Sequence, residues 1–129
     1  MKWVLSVIIL FTVSCASMDK VGAPEDAGLE RVKKSLLAYT DCINSEGARL
    51  ALSNATPSEI AEAAHAGCLA ELNSYQRTAL RYLNTGVGSL NRKEESSRLI
   101  SERSKKLVED AKAHVIRLVV EERALATEK

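Results

Sequence analysis

Residues 42–68 read CINSEGARLALSNATPSEIAEAAHAGC, a cysteine at each end of a stretch that turns back on itself. The turn is written at its centre. Ser53-Asn54-Ala55 breaks one run of helix formers, and Thr56-Pro57-Ser58-Glu59 opens the next. Thr56 suits the capping position and Pro57 the first helical position, where a missing N–H is no loss. Glu59 stands where its side chain can reach back and complete a capping box. A helix ending near Leu52 and another beginning near Pro57 make a hairpin. Cys42 then lies ten residues before the first edge and Cys68 eleven after the second. At the helical rise these are ~15 and ~16.5 Å from the turn, so the two thiols stand level.

A disulfide needs Cα atoms roughly 4.4–6.8 Å apart, closer than bulky helix contacts allow. Gly47, Ala48 and Ala51 on one side, facing Ala63, Ala64 and Gly67 on the other, are expected to permit that approach. By loop entropy, closing about 27 residues stabilises the fold by about 3–4 kcal/mol. The spacing is not the Cys-x-x-Cys of redox-active pairs, and a zinc site on Cys42 and Cys68 would compete with the disulfide. A structural cystine and no metal are expected.

Outward from the hairpin the chain keeps a helical period. Leu29, Val32, Leu36, Tyr39 or Thr40, Ile43, Gly47 and Leu50 trace one face of a first helix that starts near Pro24. Glu25 and Asp26 fall in its first turn, favourable to the helix dipole, and Glu30 and Lys34 are spaced to pair. Ile60, Ala64, Cys68, Leu72, Tyr75, Ala79 and Leu83 trace one face of a second, which Asn84-Thr85-Gly86-Val87-Gly88 ends. A third restarts at Ser89 or at Asn91, where Asn91 and Glu94 form another box-like pair. It runs to about Ala126, some 35 residues or ~50 Å. Its stripe is Ile100, Leu107, Val108, Ala111, Val115, Leu118, Val119 and Leu125, thin near Arg92 to Arg98 and dense after Leu107. Glu94–Arg98 and Glu102–Lys106 are spaced as i,i+4 pairs. The predicted fold is all-α, an antiparallel three-helix bundle whose first two helices form a disulfide-closed hairpin.

The beginning of the chain reads as an address. Met1-Lys2 precedes an uncharged apolar run, residues 3–13, and the small residues Ser14-Cys15-Ala16-Ser17 follow. One basic residue, about eleven apolar ones and a small-residue site form the layout of a secretory signal. The run is short of the ~20 residues a spanning helix needs. Thr12-Val13-Ser14-Cys15 resembles a bacterial lipobox, in which the cysteine is acylated and becomes the new N-terminus. Thr12 departs from the aliphatic residue usual at the first position. Cleavage after Ala16, through Ser14 and Ala16, and an uncleaved anchor are the other routes. Residues 1–16 are thus read as the signal, 17–23 as a tether and 24–129 as the helical domain. Of the three cysteines, Cys15 is acylated or discarded, which leaves Cys42 and Cys68 as a pair.

Composition narrows the classes of function. Aromatic residues make up 4% of the chain, and Trp3 and Phe11 lie in the leader, leaving Tyr39, Tyr75 and Tyr82. Charge is balanced, 18 Lys+Arg against 17 Asp+Glu, and loss of Lys2 with the leader brings the two equal. Neither a basic field nor a stacking surface for bases is present, so nucleic-acid binding is not expected. His65 and His114, the two histidines, are far apart in sequence and read as structural or surface residues. Glu59 and Glu62 are helix-start acids. Thr85-Gly86-Val87-Gly88-Ser89 superficially resembles a phosphate cradle, but it follows a helix and lacks the Gly-Lys-Ser/Thr ending.

The expected protein is non-catalytic and needs no cofactor. It is exported to a bacterial periplasm or held in the cell envelope by a lipid on Cys15, and it acts on another envelope protein or on its own copies. The alternative is a periplasmic, chaperone-like binder of a hydrophobic ligand or unfolded chain, using an apolar groove between Val115 and Leu125. An enzyme would require Glu62, His65 and His114 to converge.

Overall fold

The computed structural model describes residues 24–85 and 90–128. The signal segment, Cys15, the tether and the glycine turn after Thr85 lie outside the described residues. So does the side chain of Asn91. Four helices are described: α1, Pro24–Leu50; α2, Pro57–Gly67; α3, Leu69–Asn84; and α4, Leu90–Thr127. The chain is all-helical over the described residues, as the periodicity predicts. No helix among them is long and apolar enough to cross a membrane.

The predicted second helix is two helices, which corrects the count of three. Gly67, a poor helix former, ends α2. Cys68 follows at φ −110°, ψ 20° and caps α2 by donating its N–H to the His65 carbonyl. The Cys68 carbonyl then accepts from the Leu72 N–H, so α3 restarts at once. The break leaves the apolar face in phase: Ile60, Ala64, Cys68, Leu72 and Ala79 are all buried on one side of the rod. The architecture is therefore three rods, the middle one bent at its cysteine.

Cys42 on α1 and Cys68 at the bend are joined by a disulfide, with Cα atoms 5.9 Å apart. The start of α2 is as written: Thr56 accepts from the Glu59 N–H, and Glu59 accepts from the Thr56 N–H at 2.7 Å. The small residues divide their work differently from the expectation. Ala51 and Ala64 are buried in the core, but Ala48, Ala63 and Gly67 are exposed. Gly47 serves the α1–α4 contact, because a Cβ there would lie 2.7 Å from Val115 Cγ1. The face of α1 that carries Gly47 turns toward the third rod, so its missing side chain admits α4 and not α2.

The core is uneven along the bundle. Tyr39, Ile43, Ile60, Cys68, Val115 and Val119 are fully buried where the hairpin meets the second half of α4. Toward the start of α4 the inward positions include Ser96 and Ser104 beside Ile100. Small polar residues fill less space, so that end packs more thinly.

One side chain closes the opposite end. Arg123 of α4 donates to the carbonyls of Ala51, Ser53 and Ala55 at 2.8, 2.7 and 2.6 Å. Those carbonyls belong to the turn after α1, where a helix end lacks intrahelical donors. Leu125, placed on the apolar stripe by its spacing, is exposed.

Candidate functional site

The cystine is a structural centre. Glu71, one turn into α3, brings a carboxylate oxygen within 4.8 Å of both sulfurs. Its Oε2 is buried without a hydrogen-bond partner. Sulfurs bonded to one another are not thiolates and do not ligate as a pair.

Beside the cystine, Tyr39 and His65 join α1 to α2. The Tyr39 hydroxyl lies 3.1 Å from His65 Nδ1, and the rings meet edge to face. Burial raises the Tyr39 pKa. The phenol thus stays protonated and shares one hydrogen bond with the imidazole. His65 thus has a named partner across two helices. His114 is exposed.

Glu62 carries an ion pair to Lys112 of α4 at 2.6 Å, and the Lys112 ammonium holds its carboxyl below the usual range. Ligand atoms of Glu62, His65 and His114 do not gather within 4.8 Å of one another among the described residues. The set an enzyme reading needs is not assembled as such a cluster.

A different place collects polar side chains. Between the first half of α1 and the second half of α3 lies an open groove of about 860 Å³. Gly28, Arg31, Lys34, Ser35 and Ala38 line it from α1. Ser74, Thr78, Arg81 and Tyr82 line it from α3, with Thr85 at the end. The local cause is size. Glycine, serine and alanine recur along that face of α1, so few side-chain atoms fill the space beside it, and the Tyr82 ring lies on Gly28.

The charge of the groove has one sign. Among the described residues Arg31, Lys34 and Arg81 line it, and no carboxylate does. Among the described residues, none of the three cations has a carboxylate within 4 Å. The spacing of Glu30 and Lys34 predicts a pair, but Glu30 takes Lys33 instead, at 2.9 Å. Lys34 is left to the groove. A similar exchange occurs on α4, where Lys106 pairs with Asp110 and not Glu102, and Glu94–Arg98 does not form. Three of the groove hydroxyls are occupied: Ser35, Thr78 and Thr85 each donate to a carbonyl of their own helix or its end. The three cations give the lining its charge, and a ligand that answers them is anionic.

Sequence reasoning missed this groove. Arg31, Lys34 and Arg81 are ordinary solvated charges when read singly, and only the alignment of α1 with α3 brings them together. No protein-family model, no curated protein and no solved structure matches the chain.

Proposed function

We propose that this chain is an exported, non-catalytic protein of the bacterial cell envelope, anchored by acylated Cys15 and acting by binding. The Cys42–Cys68 bond carries the reading. Such bonds form and persist in oxidising compartments and are rare in the cytosol. A short leader ending in small residues precedes it, which supplies the route to that compartment. The hairpin holds a rigid surface for a partner from the envelope or for a second copy.

The mass of the mature N-terminus tests the reading. A chain beginning at acylated Cys15 supports it, a chain beginning at Ser17 replaces the anchor with a free periplasmic form, and an intact Met1 with Cys42 and Cys68 both alkylatable overturns export. Crosslinking in cells then separates a heterologous partner from self-association by the mass of the adduct.

The second reading, capture of a hydrophobic ligand or an unfolded chain, draws on Leu52, Val120 and Leu125. These stand exposed, Leu52 beside the carbonyls that Arg123 binds and the others on the last turns of α4. A lipid or peptide seen by native mass spectrometry of the purified protein favours this reading over the first.

A further inference from the structure

We infer that the α1–α3 groove binds the phosphate of an anionic lipid headgroup, so that the protein grips the bilayer surface beside its own anchor. The inference rests on the lipid-anchored reading and adds a ligand to it.

Three observations carry it. The first is chemical. Arg31, Lys34 and Arg81 line one opening, with no acid in its lining among the described residues. Guanidinium groups match phosphate oxygens in a two-pronged geometry, and an ammonium adds a compact charge. The second is the way the neighbouring charges are spent. Glu30 is held by Lys33, so the nearest described acid on α1 faces a different partner. The third is position. Gly28 and Arg31 lie in the first turns of α1, which begins at Pro24. Pro24 stands nine residue steps after Cys15. Fully extended they reach at most about 30 Å, so an acyl chain on Cys15 keeps this end of the bundle near the headgroups. The other end, where Arg123 closes the α1–α2 turn, points away.

A charge-balanced chain has no general attraction to an anionic surface. Binding through the groove is therefore local and depends on the three cations, which makes it measurable at a single side chain. The full chain is reconstituted in vesicles of phosphatidylcholine alone or with phosphatidylglycerol. Acetylation of each lysine by a neutral reagent is followed by mass spectrometry. Lys33, the adjacent residue paired to Glu30, serves as the internal reference because it sits at the same depth.

The expected result is a fall of about fivefold in the Lys34-to-Lys33 rate ratio on phosphatidylglycerol, the scale of one basic residue at an anionic surface. The double variant Arg31→Gln, Arg81→Gln is expected to restore the phosphatidylcholine ratio while its helical circular dichroism stays unchanged. Equal ratios on the two vesicles overturn the proposal. So does protection that survives in the double variant, or inorganic phosphate giving the same protection on phosphatidylcholine, which would assign the groove to a soluble anion. The anchor fails separately, through the mass of the N-terminus, because the acetylation ratio is read on the full chain whether or not Cys15 is acylated.

Discussion

The ring of Tyr82 lies against the backbone of α1 at Gly28, where an added Cβ would come within 2.7 Å of Tyr82 Cδ2. Gly28 is fourteen residues before Cys42, and Tyr82 is fourteen after Cys68. The two residues are therefore level in an antiparallel register counted from the cystine. One covalent bond in the middle of the rods thus aligns a contact four turns away, and with it the three cations of the groove.

The two close glycines predict opposite costs. Alanine at either gains about 1 kcal/mol in helix propensity over glycine. At Gly28 the obstacle is Tyr82, half-buried and free to swing toward the groove, so Gly28→Ala is expected to change stability by less than about 1 kcal/mol. At Gly47 the obstacle is Val115, fully buried and stiff at χ1, which cannot move aside. Gly47→Ala is expected to cost a net ~1–2 kcal/mol through overpacking. Adding Val115→Ala should then cost less than it does alone. Urea unfolding of the four variants measures this, and additive effects would contradict the steric account.

Arg123→Ala removes three charge-assisted bonds to carbonyls at the α1–α2 turn. A loss of about 2–3 kcal/mol is expected, since hydrogen bonds to charged groups are worth about 1.5–3 kcal/mol each but do not add fully. Arg123→Lys keeps the charge without the planar fork and should recover less than half. Amide exchange at Ser53 to Thr56 would rise in both variants. Unchanged exchange there would show the turn to be held by its own backbone.

Replacing both cysteines, Cys42→Ala with Cys68→Ala, is expected to cost about 3–4 kcal/mol by loop entropy. The lost alignment of α1 with α3 should appear separately, as weakened contact between Gly28 and Tyr82. Nuclear Overhauser effects between the Tyr82 ring and the Gly28 Hα protons report it. Retention of that contact at full strength would show that packing alone sets the register.

Stability should fall at both ends of the pH scale, for opposite reasons. Glu46, Glu59 and Glu62 are held below the ordinary carboxylate value of 4.5. The causes, largest first, are the Arg49 hydrogen bond at Glu46, the Thr56 backbone hydrogen bond at Glu59 and the Lys112 hydrogen bond at Glu62. A depressed group contributes fully above its unfolded pKa and loses that contribution as pH falls through its folded one. The acid decline therefore begins below about pH 5. Tyr39 is raised above 10.0 by burial. Its contribution is complete below that value and is lost as pH climbs through the folded pKa. Thermal unfolding from pH 2 to 11 should show both limbs, with Glu59→Gln flattening the acid one and Tyr39→Phe the alkaline one. A melting temperature that rises on acidification would contradict the carboxylate assignments.

The order of residues by itself determined the local elements and one long-range tie. Pro57 and the Thr56–Glu59 box mark the start of α2 because capping is a contact between near neighbours. The stripes on α1 and on the middle rod are legible because burial follows a 3.6-residue period. Cys42 and Cys68 could be paired because equal distance from a turn means equal height. Gly67-Cys68 hid the bend in the middle rod, since one residue off helical geometry leaves the apolar period in phase. Only the tertiary structure decided which side of α1 faces α4, which carbonyls Arg123 finds, and that Glu30 chooses Lys33 and leaves Lys34 with Arg31 and Arg81. Those choices depend on the rotation of one rod about its axis relative to another, which packing among all three sets and no single helix encodes.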